Sequence, residues 1–210
     1  MVVQGVAGVK RWIMVNIESI QMVQSRDRER IAQTLALAFQ EDPAFRYIFP
    51  CDDDRATRLQ KLFRLIFDSE GRSGMRFATV DGAAASLWRR PGQAQIGLAE
   101  MVLQSVSLAA ALGPHAIKAL RISRAIDARF PSQPFWYLHY LGCVPDRQRR
   151  GLGDAVVRAG LARTAGHPVY LETAQPNNIV FYERFGFSVT AQWRARPDGP
   201  TFWSMMLLCS

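Results

Sequence analysis

Residues 135–153 constrain this chain more tightly than any other stretch. An apolar run of strand length, 135–144, passes through Pro145 and Asp146 into Arg147-Gln148-Arg149-Arg150-Gly151-Leu152-Gly153, and a helical pattern begins at Leu152. Strand, Gly-x-Gly turn and helix in direct succession form an anion site. The first N–H groups of the helix have no internal partner, and the dipole places about half a positive charge there. Glycine lets an anion approach the backbone closely, and Arg147, Arg149 and Arg150 add charge on the same turn. A dinucleotide fingerprint would need glycine at 156, which is Val156, and no Gly-Lys-Ser or Gly-Lys-Thr of a Walker loop occurs. Spacing by itself leaves two readings open: a phosphate cradle, or an ordinary strand-to-helix turn with solvated arginines.

Charge favours a phosphate-bearing partner. The 26 basic residues exceed the 18 acidic ones to give +8, and all but Lys10, Lys61 and Lys118 are arginine, whose planar fork meets phosphate oxygens in pairs. Nucleic acid, a membrane surface and a phosphorylated cofactor would each satisfy that balance. The arginines are spread along the chain without a DNA or RNA motif, so no nucleic-acid partner is expected. At 210 residues, 49% apolar and 21% charged, the composition is that of one soluble globular domain. Cys51, Cys143 and Cys209 are too widely spaced for a metal site or a disulfide framework, and no metal is expected. The apolar opening, residues 1–9, lacks a basic leader, and no run reaches the roughly 20 apolar residues of a membrane span. A cytoplasmic protein without membrane contact is the expectation.

Along the chain, residues 1–24 read as an extended or flexible N-terminus with a first strand around 14–22. Ser25 is a candidate N-cap for a helix with Ile31, Leu35, Ala38 and Phe39 on one face, ending near Asp42-Pro43. Asp52, Asp53 and Asp54 open a second helix carrying Leu59, Leu62, Phe63, Ile66 and Phe67, closed by Gly71 and Gly74. Strands at 75–80 and 83–89 flank the turn pair Asp81-Gly82. Residues 94–130 read as a helical substrate-side segment broken at Gly113-Pro114. After the strand and the cradle helix come a strand at 168–173, a short helix at 178–185, and a hairpin of 188–195 with 201–208. This order predicts a mixed α/β fold: a mostly antiparallel central sheet with helices on both faces.

Gln148-Arg-Arg-Gly151-Leu-Gly153 resembles the Gln/Arg-x-x-Gly-x-Gly/Ala signature of the GNAT superfamily of N-acetyltransferases. Leu171-Glu172-Thr173, Asn178 and Phe181-Tyr182-Glu183-Arg184-Phe185-Gly186-Phe187 follow in that family's order. The likeness covers residues 136–203 and is greatest to the puromycin N-acetyltransferase-like branch. It implies acetyl-CoA as cosubstrate, with the diphosphate on the backbone of Gln148, Arg149, Arg150, Gly151, Leu152 and Gly153. It also implies that Cys143 and Val144 pair with the pantetheine arm as a strand would, that Asn178 helps hold the arm, and that Tyr182 points its hydroxyl at the thioester sulfur. The Val144 N–H is a candidate to polarise the acetyl carbonyl.

The implied chemistry poses two proton problems. Keeping an alkyl ammonium neutral at pH 7 costs about 4.6 kcal/mol, and full protonation of a departing thiolate by an ordinary tyrosine is uphill by about 2 kcal/mol. Tyr182 is therefore expected to donate a hydrogen bond rather than complete an early proton transfer. His139 and Glu172 are the candidate bases, His139 first because its ordinary pKa near 6.5 suits the task. Each also has a plain structural reading, the histidine as a hydrogen-bonded core residue and the glutamate as an arginine's partner. Cys143 reads as a small strand residue rather than a nucleophile. On the acceptor side stand residues 39–49, with the acidic pair Glu41 and Asp42 among aromatics, and the segment 94–130. The expected activity is acetyl transfer to a primary amine of a small molecule. A protein N-terminal or lysine acetyltransferase, a CoA-binding sensor and a homodimeric assembly remain open.

Overall fold

A computed structural model describes residues 20–95 and 105–208. Among the described residues, seven strands form one sheet in the order β1-β2-β3-β4-β5-β7-β6. They are β1 (Ile20–Met22), β2 (Gly74–Thr79), β3 (Ala84–Arg89), β4 (Trp136–Cys143), β5 (Val169–Thr173), β6 (Ser188–Arg194) and β7 (Thr201–Leu207). Only β4 and β5 pair in parallel; every other neighbouring pair is antiparallel. The mixed, mostly antiparallel sheet expected from the sequence is present. The first strand is short, and the rest of the expected run at 14–22 lies outside the described residues.

Helices α1 (Arg28–Ala38), α2 (Pro43–Ile48), α3 (Asp52–Ser73), α4 (Ser105–Leu112) and α5 (Ala116–Asp127) belong to one face of the sheet; α6 (Leu152–Leu161) and α7 (Asn177–Glu183) belong to the other. Ile31 and Leu35 of α1 and Leu59, Phe63 and Phe67 of α3 are fully buried in the first core, against Ala78, Ala85 and Leu87. Each such large apolar side chain contributes roughly 1.5–3 kcal/mol on burial. Trp88, Val157, Leu171, Tyr182, Phe187 and Met205 fill the second core. There α6 lies so close to β3 that a Cβ on Gly160 would overlap the Trp88 indole.

Local chemistry explains where the elements depart from expectation. Ser25 lies in a 3-10 turn rather than capping α1, and the Gln24 N–H is held by Asp27 Oδ2 at 3.0 Å. Asp42 starts a helix as well as following one: its Oδ1 accepts from Ala44 N at 2.9 Å and Phe45 N at 3.4 Å, with Pro43 at the first position of α2. Gly71 lies inside α3, which ends only at Gly74. The β2–β3 hairpin turns through residues 80–83, tied by Asp81 Oδ1, which accepts from Thr79 Oγ1 at 2.6 Å and Ala83 N at 3.0 Å. Within the expected helical span 94–130, helix occupies α4, a 3-10 turn at Gly113–His115 and α5; residues 96–104 lie outside the described ones.

Two irregularities in the sheet position the site. The β3–β4 ladder pairs Leu87 with Tyr140 and Trp88 with Leu138, so His139 is an extra residue bulged out of β4. The parallel β4–β5 ladder pairs only Trp136 with Val169 and Tyr137 with Tyr170. Beyond those pairs β4 continues to Cys143 and β5 to Thr173 unpaired with each other, so a gap opens between two central strands.

Candidate active site

The cradle follows β4 through a 3-10 turn at Pro145–Arg147. Arg149 and Gly151 both take left-handed backbone angles, φ 60° and 80°. At Gly151, the N-cap of α6, that conformation favours glycine. Gly153 differs: a Cβ there would only touch the Phe181 ring at 3.7 Å, so neither backbone angle nor packing within the chain requires glycine. Backbone N–H groups from Arg149 to Asp154 find no acceptor among the described residues, and residues 148–151 are exposed. Such a row of free donors at a helix start is able to receive an anion. Side chains contribute less than the sequence suggests. Arg147 pairs with Asp81 at 2.9 Å, Arg150 bonds the Asp146 carbonyl at 3.4 Å, and Gln148 Nε2 donates to the Cys143 carbonyl at 3.2 Å.

At the end of β4 one expectation fails. The Val144 N–H donates to the Ala83 carbonyl at 2.9 Å, continuing the β3–β4 ladder, and is not free to polarise an acyl group. Alternate residues of a strand point their backbone groups to opposite edges. The N–H and C=O of Cys143 therefore face the gap on the β5 side, where the carbonyl already takes the Gln148 amide. Burial pushes the Cys143 thiol up, which disfavours the thiolate a nucleophile would need.

The gap opens into a cavity of about 500 Å³ between the sheet and α2–α5. His139, Glu172, Asn178 and Tyr182 all line it, so four sequence-selected residues from three elements meet in one space. Asn178 is tethered to β5 by its Nδ2 donating to Thr173 Oγ1 at 3.2 Å. Tyr182 packs edge-on against Phe187, and its hydroxyl has no protein partner among the described residues. Burial raises the pKa of Tyr182, so it stays a protonated donor. Glu172 Oε2 accepts from the Tyr137 hydroxyl at 2.8 Å, while its Oε1 is occluded without a partner. Burial pushes this carboxyl up to about 8, which leaves it largely protonated at neutral pH.

His139 has a different environment. Its Nδ1 lies 2.7 Å from Glu70 Oε1, leaving Nε2 without a protein partner. Burial first, and then Arg89, lower its pKa, while Glu70 acts in the opposite sense. A neutral imidazole with one free nitrogen lining the cavity can accept a proton. Of the acidic pair expected beside the acceptor, only Asp42 lines this space, with its carboxyl pushed up to about 6 by burial; Glu41 is exposed and pairs with Arg46. Asp127 of α5 lines it too, and burial raises its pKa as well.

Residues 108–187 match the model of the Acetyltransferase (GNAT) family. Residues 108–187 are thus similar to that family, and the chain has the fold of GNAT structures. An uncharacterized N-acetyltransferase of Schizosaccharomyces pombe is 24% identical over 178 residues, spanning 79% of this chain and 72% of that protein. Among solved structures, a Corynebacterium glutamicum protein described as histone acetyltransferase HPA2 and related acetyltransferase is 23% identical. It covers 91% of this chain and 96% of its own, with a TM-score of 0.72. A Drosophila melanogaster polyamine N-acetyltransferase that forms N-acetylagmatine is 16% identical, covering 90% and 98%, with a TM-score of 0.52. The matched residues end at 187, so they include β4, the cradle, β5 and α7 but neither α3 nor β3. Glu70 and Arg89 were missed by sequence reasoning. The available signal was a glutamate continuing the buried Leu59, Phe63, Phe67 stripe of α3, and an arginine on the face of Ala85 and Leu87.

No helix among the described residues is long and apolar enough to cross a membrane, and no group of three or more His, Cys, Asp or Glu residues among them could hold a metal ion.

Proposed function

We propose that this chain is an acetyl-CoA-dependent N-acetyltransferase acting on the primary amine of a small molecule. One observation carries the reading: a cradle of unpartnered N–H groups leads, through the gap between β4 and β5, to a cavity on which His139, Glu172, Asn178 and Tyr182 converge. The residues present fit the cosubstrate. The N–H row of residues 149–154 would take the diphosphate, the gap-facing groups of Cys143 would pair with the pantetheine amides, and Asn178 would flank the arm. Acetyl-CoA supplies the acetyl group as an activated thioester.

His139 Nε2 takes the proton that the amine nitrogen gives up as its bond to the acyl carbon forms and the bond to sulfur breaks. Tyr182, held protonated by burial, donates a hydrogen bond to the departing sulfur. Glu172 serves as a carboxyl that acquires charge when a cation arrives, because it is neutral at rest. Asp42 and Asp127 give the same cavity further cation affinity, and Phe39, Phe45, Leu112 and Phe130 give it apolar walls. A cavity of about 500 Å³ suits a small amine with an apolar body better than a protein lysine. Leu171-Glu172-Thr173 with Phe181-Tyr182-Glu183-Arg184 supports a place near the puromycin N-acetyltransferase-like branch, among antibiotic-like or metabolic amines.

The test is thiol release from acetyl-CoA over a panel of amines, beside calorimetry with acetyl-CoA alone. Amine-dependent release is expected. Binding without release across the panel would make the chain a sensor, and absence of binding would end the assignment.

A further inference from the structure

Behind His139 lies a buried charged cluster that the reaction just described does not use. Glu70 on α3 is fully buried, and its Oε1 receives Arg89 Nε at 2.7 Å as well as facing His139 Nδ1 at 2.7 Å. Arg89, itself 1% exposed, is anchored by donating from Nη2 to Ser69 Oγ at 2.7 Å. The other Glu70 oxygen is buried without a partner. Replacing such an ion pair with apolar side chains is often neutral or stabilising, so fold stability gives little reason for it. Its position against the ring of the candidate base gives another.

We propose that Glu70, clamped by Arg89, is the positioning residue that keeps His139 protonated at Nδ1 and leaves Nε2 free to accept the amine's proton. The proposal rests on the reading of His139 as the base. Which imidazole nitrogen carries hydrogen is set by the hydrogen bond that the other one makes or lacks. Glu70 Oε1 is an acceptor only, so Nδ1 must donate to it, and the lone pair is left on Nε2. The bulge supplies the orientation: His139 has no cross-strand partner in β3, and its ring is bracketed by Tyr137 at 4.9 Å and Tyr140 at 4.1 Å between centroids.

The two charges behind the ring act in opposite senses. Burial, the largest influence, keeps the ring neutral at rest; Glu70 favours the imidazolium and Arg89 opposes it, so the ring meets a carboxylate once protonated. The groups facing His139 are Glu70 from α3, Arg89 from β3, Tyr137 and Tyr140 from its own strand, and, around the cavity, Asp42, Asp127 and Glu172. Of these, only Glu70 bonds the ring among the described residues.

Nitrogen-15 NMR of the intact chain tests the tautomer without mutation in the core, with His139 assigned against His139→Gln. The neutral ring is expected as the Nδ1–H form; the Nε2–H form would overturn the proposal. Kinetics of Glu70→Gln supply the second reading, since glutamine keeps an oxygen for Nδ1 and removes the charge. The acid limb of kcat/KM for the amine should move to lower pH and kcat should fall about tenfold, as for a weakened general base. Acetyl-CoA affinity should stay within about twofold, because the cradle is untouched. An unmoved acid limb would reduce Glu70 to packing and overturn the proposal. Where Glu70→Gln alone does not fold, Glu70→Gln with Arg89→Met removes both charges, and the same limb and tautomer are read. Failure of every amine in the panel would count against the acetyltransferase reading, whereas the tautomer is measured whether or not turnover occurs.

Discussion

The cradle and the cluster around His139 are built by opposite means. In the cradle, contiguous residues turn their backbone outward, and six N–H groups from Arg149 to Asp154 remain unpartnered on an exposed turn. Around His139, side chains from α3, β3 and β4 are brought together across 69 positions of sequence, with Glu70 and Arg89 sealed from water behind a ring that faces the cavity. In the proposed reading the first region binds an anion because its donors are left open. The second tunes an imidazole because its charges are enclosed, where desolvation and a nearby carboxylate outweigh what either would do in water. Damage to the cradle should therefore appear as lost affinity, and damage to the cluster as lost turnover.

The largest effect is expected from Gly151→Glu. A non-glycine residue at φ 80° is strained, and the new carboxylate repels the diphosphate, so acetyl-CoA affinity should fall at least about 100-fold, corresponding to roughly 2.7 kcal/mol. Calorimetry reads this directly; unchanged affinity would break the comparison at its first half. His139→Gln should lower kcat by about 100-fold, in the range of a lost general base, with acetyl-CoA affinity retained. Equal loss of binding and turnover would show that the two regions are not separable.

Tyr182→Phe should reduce kcat by about tenfold, since it removes one hydrogen bond to a charge developing in the transition state. Acetyl-CoA affinity should change less than kcat, and equal rates would leave Tyr182 as packing. The smallest effect concerns stability. Glu172 has a folded pKa raised above the ordinary 4.5, to about 8, so its neutral form is favoured by the fold. Its contribution is full below pH 4.5 and is lost as pH rises toward 8. Thermal melting should show the parent chain losing on the order of 1 kcal/mol from pH 7 to 8, with Glu172→Gln flatter over that interval. Parallel curves would mean that Glu172 is not a neutral buried carboxyl.

How much could be read in advance follows the same division. The apolar run of β4, the Gly-x-Gly turn and the periodicity of α6 are local signals, and the structure reproduces them. The β2–β3 hairpin was legible as well, although its turn spans residues 80–83, with Ala83 N bonded to the Asp81 side chain. Val144 was misread, because a strand residue's edge depends on register: its N–H is taken by Ala83 on the β3 side. Glu41 and Asp42 looked equivalent in sequence. One faces solvent beside Arg46, and the other caps α2 and lines the cavity. Glu70 and Arg89 carried only the weak signal of a charge on a buried stripe, and such a charge does not name its partner.

The sequence by itself determined the alternation of strands and helices and the Gly-x-Gly turn at the start of α6, because hydrophobic period, glycine and helix ends act within a few residues of one another. Tertiary structure alone decided the rest. The parting of β4 from β5 depends on where a ladder stops, and the bulge at His139 on how two strands count residues against each other. The meeting of His139, Glu70 and Arg89 follows because a buried carboxylate takes its partners from whichever strands and helices the fold packs around it.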